Sequence, residues 1–273
     1  MAKSEEQVAQ FRRIVRNYYR AHGRDFPWRR TRNPYAIAVS EIMLQQTQVE
    51  RVRGKYGEFL KAFPNFRALA NASPASVLRV WQGLGYNRRA LALHRVSKIV
   101  MEEYCGKLPC TPEALETLPG VGPATAGSIA AFAFNAPATF IETNIRRAIL
   151  HHFFPRRRNV PEEEVVAIAA EALDRKKPRE WYWALMDYGS MLGKSVLNPN
   201  RRSAEYRRQS PFRGSDRELR GRVVRLLAEK SRVAVLSFVA FTGESGERMD
   251  KVFRALEREG FLRRKGGEVM IVE

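Results

Sequence analysis

Between residues 5 and 21 the apolar positions Val8, Phe11, Ile14, Val15 and Tyr18 recur at intervals of three and four. That spacing lines one face of a helix. The same periodicity predicts helices over 36–46, 47–63, 88–105, 111–118, 124–133, 142–154, 161–174 and 178–193. "SPASVLRVWQGLGY" reads as a serine-capped helix stopped by Gly83 and Gly85. "GRDFPWRRTRNPY" (23–35) is a loop punctuated by Pro27 and Pro34. Apolar periodicity then lapses over 193–216, a stretch of Arg, Ser, Asn and Pro that reads as a linker. Beyond it the pattern predicts a helix over 216–229, a short strand turning into a helix in "RVAVLSFVAFTG", a helix over 246–259 and a hairpin about Gly266–Gly267. That order is the layout of a winged helix. No period of 20–50 residues suggests a repeat array.

Composition narrows the class. Of 273 residues, 44% are hydrophobic and 28% charged, as in folded rather than disordered chains. No run of eighteen apolar residues offers a membrane span, and the first residues hold no apolar export segment. A cytoplasmic, nucleoid-associated protein with no membrane partner is expected. Lys and Arg number 48 against 29 Asp and Glu, a net charge of +19. This excess is spread along the whole chain, which favours a polyanion such as nucleic acid over a charged solubility tail. The two cysteines, Cys105 and Cys110, match neither a zinc knuckle nor a redox pair.

"LPGVG" (118–122) places Gly120 and Gly122 where a tight turn needs positive φ or close backbone approach. Pro123 then suits the first turn of the following helix, whose free amides would face outward. An uncapped helix start is a phosphate site. Helix, hairpin and helix together read as a sequence-independent clamp on a DNA backbone, with Leu118, Gly120, Val121, Gly122, Ala124 and Thr125 as its contacts.

"LPGVGPATAGSIAAFAF…FIETNIRRAIL" resembles the helix-hairpin-helix, Gly/Pro-rich, Asp (HhH-GPD) superfamily of DNA glycosylases. Upstream, "FPWRRTRNPYAIAVSEIMLQQTQVERV" and "LANASPASVLRVWQGLGYNRRALALH" look like the MutY-type adenine DNA glycosylases. The resemblance runs from about residue 8 to 193. It implies an all-α, helix-hairpin-helix glycosylase of two helical subdomains over 1–193. A six-helix barrel would occupy about 32–140, with the N-terminal helix and 141–193 as the second lobe. An Arg-rich linker (194–215) and a small winged-helix-like α+β domain (216–273) would follow. The partner implied is double-stranded DNA holding a mismatched or damaged pair, bound by a monomer.

Family members extrude a nucleotide into a pocket. An acid protonates the departing base, and a carboxylate across the sugar stabilises the developing oxocarbenium ion, the logic of glycoside cleavage. By resemblance Glu41 is the general acid; independently, a glutamate entering an apolar helix should have its pKa raised by burial. Glu142 stands where the family has its signature aspartate, its extra methylene displacing the carboxylate by on the order of 1.5 Å unless the backbone compensates. Asn144 matches an asparagine of the active site. Gln46 matches the side chain inserted into the base stack, and Tyr86 the wedge beside the opposing base. Arg24, Phe26, Trp28 and Arg29 match the lining of the adenine pocket, with Met186 at a neighbouring apolar position.

Several departures qualify the implied activity. Ala124 occupies the place of the lysine that lets relatives nick the strand, so monofunctional base release is expected. Trp183 replaces a Glu or Gln that would accept from adenine's amine; indole only donates. The four cysteines of the family's iron–sulfur cluster correspond to Gly193, Asn200, Ser203 and Gln209. No cluster is therefore expected; a monovalent cation at the hairpin backbone is the one inorganic cofactor left open. An Arg-rich loop, 200–213, stands where the cluster would be. The winged-helix-like segment 216–273 stands where adenine enzymes carry the nucleotide-hydrolase-like domain that reads 8-oxoguanine, so no such domain is expected. The leading reading is removal of adenine opposite 8-oxoguanine or guanine. Removal of thymine or uracil opposite guanine, and a non-catalytic DNA-binding or lesion-binding protein, remain alternatives.

Overall fold

The apolar stripe of the first helix is buried as its spacing requires. In α1 (Glu5–His22), Val8, Phe11 and Val15 face inward, and Phe11 meets the rings of Phe153 and Trp181 edge-on. A computed structural model describes residues 5–208, 210–230 and 232–272. After α1 and a 3-10 turn at Pro27–Arg29 come α2 (Pro34–Leu44), α3 (Val49–Ala62), α4 (Phe66–Ala70), α5 (Pro74–Trp81), α6 (Arg88–Glu103), α7 (Pro112–Glu116), α8 (Pro123–Phe134), α9 (Thr143–Phe153), α10 (Glu162–Ala172) and α11 (Pro178–Ser195). The C-terminal segment adds α12 (Asp216–Lys230), β1 (Arg232–Ala234), α13 (Val235–Thr242), α14 (Gly246–Arg258), β2 (Leu262–Lys265) and β3 (Glu268–Ile271).

The chain divides into two compact units. One holds residues up to Glu41, Pro109–Thr117 and Val121–Arg208; the other holds Ile42–Leu108, Leu118–Gly120 and the chain from Gln209 on. The first unit packs α1, α8, α9, α10 and α11 around Phe11, Ile145, Ile149 and Tyr182. The second is centred on Phe59 and Trp81, in edge contact at 5.7 Å, with α3 and α6 on α5 and α4 on α6. Residues 216–273 belong to this second unit instead of standing apart, because α12 lies on α5. Their own core joins Leu219, Val223 and Leu227 of α12 to Val252, Phe253 and Leu256 of α14.

The winged-helix layout is present in the order of these elements. The sheet runs β1–β3–β2, antiparallel throughout, with Val233 opposite Val269 and Leu262 opposite Ile271. Gly266 and Gly267 both have positive φ, 59° and 78°, as a two-residue hairpin turn with right-handed strand twist demands.

Three expectations need correction. The helix capped by Ser73 stops at Trp81, short of Gly83, because Gly83, Gly85 and Tyr86 all take positive φ. The short α4, with Asn65 accepting from Ala68 N, escaped the periodicity because five residues span barely one turn. The 193–216 stretch is not a uniform linker. α11 continues to Ser195, a 3-10 turn forms at Pro199–Arg202, and Val160 pairs with Ser203 in an isolated bridge. Gln209 lies outside the described residues.

Candidate active site

Both proposed catalytic carboxylates belong to the first unit. Glu41 sits on α2, where five apolar or small residues from Ala36 to Ser40 are buried before it. It is surrounded closely by protein while keeping some contact with solvent. Burial pushes its carboxyl up to about 7, and the negative charge of Glu142 adds to that rise. A hydrogen bond with Ser128 of α8 and the charge of Arg29 oppose it. Half-protonated at neutral pH, Glu41 meets the requirement of a general acid.

Glu142 is the N-cap of α9. Its Oε1 accepts from the backbone N–H of Asn144 (2.7 Å) and Ile145 (2.8 Å). The extra methylene is therefore taken up by folding the side chain back over its own helix start, where an acid is favourable. Burial pushes the Glu142 carboxyl up, opposed by those two amides and by Arg147. Asn144 donates through Nδ2 to Glu142 Oε2 (3.1 Å). Arg147 in turn donates to Asn144 Oδ1 (2.7 Å) and to the Gly189 carbonyl (2.8 Å). Gly189 is obligatory: a Cβ there would lie 2.0 Å from the Asn144 carbonyl oxygen. Glu142 is thus fixed in place by its neighbours.

The expected base-pocket residues other than Met186 form one network in this unit. Phe26 and Trp28 are buried and stacked, centroids 5.0 Å apart and planes 13° from parallel. The guanidiniums of Arg24 and Arg29 each lie 5.1 Å from the Phe26 ring, and Arg29 lies 5.6 Å from that of Trp183. Trp183, half-buried, stacks on Phe132 of α8. Met186 is also half-buried, one helical turn beyond Trp183 on α11. The network's anchor, Asp187, was not anticipated from sequence. Arg29 binds it bidentately at 2.8 Å, and Arg24 donates from both its backbone N–H (2.8 Å) and its Nε (2.7 Å). Burial would raise the Asp187 carboxyl, but the bonds and charge of Arg29 and Arg24 hold it below the usual range. An aspartate at 1% exposure between two arginines is legible only once "RDFPWR" and "MDYG" are known to meet. Ser128 and Arg147 were missed for the same reason.

The hairpin bears out one of its two glycines as conformationally required. Gly120 has φ 78°, and a Cβ on it would lie 2.7 Å from that of Ala92. Gly122 is different: with φ −93° and open space around it, it is the N-cap of α8 and contributes no side chain. Pro123 follows in the first turn, and Gly122, Pro123 and Ala124 are exposed. Thr125 is partly covered, while Leu118 and Val121 are buried and hold the hairpin to its supports.

Gln46 and Tyr86 belong to the second unit. Both are exposed and both have positive φ, 51° and 45°, strained for residues other than glycine. One buried arginine underlies both loops. Arg89 donates to the carbonyls of Met43 (2.8 Å) and Gln45 behind Gln46, and to those of Leu84 (3.2 Å) and Gly85 (3.0 Å) before Tyr86. Its guanidinium also lies 5.4 Å from the Tyr86 ring. Burial brings Arg89 down to about 10, so it remains charged at neutral pH.

Residues 39–174 match the family described as HhH-GPD superfamily base excision DNA repair protein. The chain is 34% identical to the adenine DNA glycosylase of Mycolicibacterium smegmatis over 79% of each chain. It is 38% identical to that of Buchnera aphidicola subsp. Baizongia pistaciae over 52% of this chain, spanning only 41% of that protein's length. A solved thermostable thymine-DNA glycosylase superposes with a TM-score of 0.62 at 26% identity, covering 68% of this chain and 87% of that one.

Proposed function

The chain belongs to the HhH-GPD superfamily of base excision DNA repair proteins and, within it, to the adenine DNA glycosylase family; on that premise we propose that it is a monofunctional DNA glycosylase that removes adenine opposite 8-oxoguanine or guanine. The observation that carries this reading is the pair Glu41 and Glu142, one carboxyl raised to about 7 and the other held by helix amides. In the reaction Glu41 gives its proton to a ring nitrogen of the flipped base. The C1′–N bond breaks, its electron pair leaving with the base. The Glu142 carboxylate faces the positive charge developing on the sugar, water then adds at C1′, and the proton that the water gives up restores the Glu41 carboxyl. Asn144 and Arg147 hold Glu142 in position.

Single-turnover base release from duplexes holding A opposite 8-oxoguanine, A opposite G, T opposite G and U opposite G tests the proposal. Release from the adenine pairs, lost in Glu142→Gln with duplex binding retained, supports it. Binding without release from any pair supports the non-catalytic reading. Release confined to T or U pairs supports a second enzymatic reading, favoured by Trp183. Its indole offers one N–H donor, which suits a pyrimidine carbonyl better than an exocyclic amine. Ala124, exposed in the first turn of α8, provides no amine. Abasic strands should therefore stay intact until alkali is added, and borohydride should trap no covalent complex.

The residues at the cluster positions do not fit an iron–sulfur centre. Gly193 has no side chain, and the Arg147 guanidinium occupies the space beside it. Asn200 is buried and donates to the Thr143 carbonyl (3.0 Å), and Ser203 is tied to Val160. None offers a thiolate. At the hairpin, where a monovalent cation would sit, two carbonyls are already engaged. The Gly120 and Gly122 carbonyls already accept from Gln45 Nε2 (3.1 Å) and Ala126 N (2.9 Å).

A further inference from the structure

The second unit contains a cleft of about 1250 Å³, larger than the roughly 300–1,000 Å³ of a small-molecule pocket. One wall is made by the Gln46 and Tyr86 loops with Arg51 and Arg88; the other is C-terminal, with Phe212, Arg217, Arg225 and Glu259. α12 is fixed here from two sides. It packs on α5, which leads directly into the Tyr86 loop. Glu259, the residue after α14, also pairs with both Arg220 of α12 and Arg88 beside Tyr86.

Seven arginines line the cleft against three carboxylates, and each carboxylate already has a partner. Asp216 pairs with Arg248 and Lys251, Glu259 with Arg220 and Arg88, and Glu218 accepts from the Gly214 amide. Arg51 and Arg225 are exposed and make no ion pair among the described residues. Phe212, 59% exposed, adds an aromatic face. Three of the four cations on the helix before the wing are, by contrast, paired. On α14, Arg248 is neutralised by Glu244 (2.7 Å) and Asp216 (3.2 Å), Lys251 by Asp216 (3.3 Å) and Arg254 by Asp250 (2.5 Å). Arg258 of α14 and Arg263 and Lys265 of the wing are also exposed without an ion pair among the described residues, but they lie outside this cleft; within it the exposed, unpaired charge is that of Arg51 and Arg225.

We propose that the C-terminal domain forms the second wall of a groove for the DNA strand opposite the released base, with Arg225 and Arg51 facing its phosphates. The proposal rests on the glycosylase reading above. When a nucleotide is flipped out, the side chains that fill the gap lie against the base left behind. A cleft shared with Gln46 and Tyr86 is accordingly where the unflipped strand runs. Free guanidiniums are the groups that neutralise phosphates there.

The test uses the full chain and a duplex whose target nucleotide resists cleavage. Binding is measured across salt for the wild type, Arg225→Glu, Arg225→Lys and, as a control at an arginine already paired with carboxylates, Arg248→Gln. Arg225→Glu should weaken binding about tenfold at low salt and reduce the slope of log K against log [salt] by about one phosphate. Arg225→Lys should retain most of the binding, and Arg248→Gln should keep the wild-type slope. Uncharged methylphosphonate linkages opposite the target should erase the difference between wild type and Arg225→Glu, whereas the same linkages in the target strand should leave it. An Arg225→Glu protein that binds like wild type, while wild type releases base, overturns the proposal alone. So does a deficit erased only by linkages in the target strand. A wild type that neither binds the duplex nor releases base overturns the glycosylase reading itself.

Discussion

Glu41 links function to stability through one proton. Its carboxyl is raised from 4.5 to about 7 by burial, so the folded state holds the proton more tightly than the unfolded chain. Below pH 4.5 both states are protonated and the site costs nothing. As pH rises through the window to 7, stability falls, by about 3 kcal/mol in all from a single group. Glu41→Gln should therefore unfold at higher temperature than wild type at pH 8 and equally near pH 4, while losing about 10²–10⁴-fold in single-turnover excision. Thermal melts at the two pH values, set beside the rate, check both halves. The excision rate itself should decline above pH 7 as the acid ionises. Ser128 supplies the bond that favours the charged form, so Ser128→Ala should move that decline to higher pH. An alkaline limb unmoved by Ser128→Ala would show that the limb does not report Glu41.

At the scale of elements, two close approaches decide whether the site residues are held. α9 and α11 meet where Gly189 leaves room for the Asn144 backbone. Gly189→Ala must push the helices apart, costing about 3 kcal/mol or more, and must loosen Asn144 and hence Glu142. Denaturant midpoints and excision rates should fall together. Arg89 ties the carbonyl end of α2 to the Gly83–Tyr86 loop. Arg89→Met leaves several buried carbonyls unpaired, for about 3–5 kcal/mol, again read from denaturant midpoints. Helix existence, the winged layout and both carboxylates were legible in sequence because each is written in local periodicity, capping or motif. Asp187, Arg147, Ser128 and Arg89 were not, because each acts on a segment tens of residues away, and nothing local marks which partner it will meet. The same holds for 193–203, whose polar composition suggested a linker although Asn200 and Ser203 are buried. Gly122 failed for the converse reason: the motif implied a strained turn, whereas only Gly120 takes positive φ.

At the scale of the whole molecule, the questions are how the chain after α11 is held and what the charge is for. After α11 the chain is secured by Asn200 on Thr143, by the Val160–Ser203 bridge and by Arg202 on the Leu150 carbonyl at 3.2 Å. All three tie it to α9 or to the segment between α9 and α10, so the helix capped by Glu142 is braced by hydrogen bonds. Purified protein should accordingly contain only substoichiometric iron, and a chelator should change neither its melting temperature nor base release. The net charge of +19 then has to be divided. Arginines paired with carboxylates, such as Arg30 with Asp25 or Arg157 with Glu164, displace few counterions when DNA arrives. Unpaired ones displace about one each, and the affinity follows their number, not the formal charge. If six or more phosphates are neutralised, duplex affinity should fall about 10³-fold or more between 50 and 200 mM salt, linearly in log–log form. A shallow dependence would mean that most of the positive charge is engaged within the protein, and that the duplex is held by the wedges and the base pocket instead.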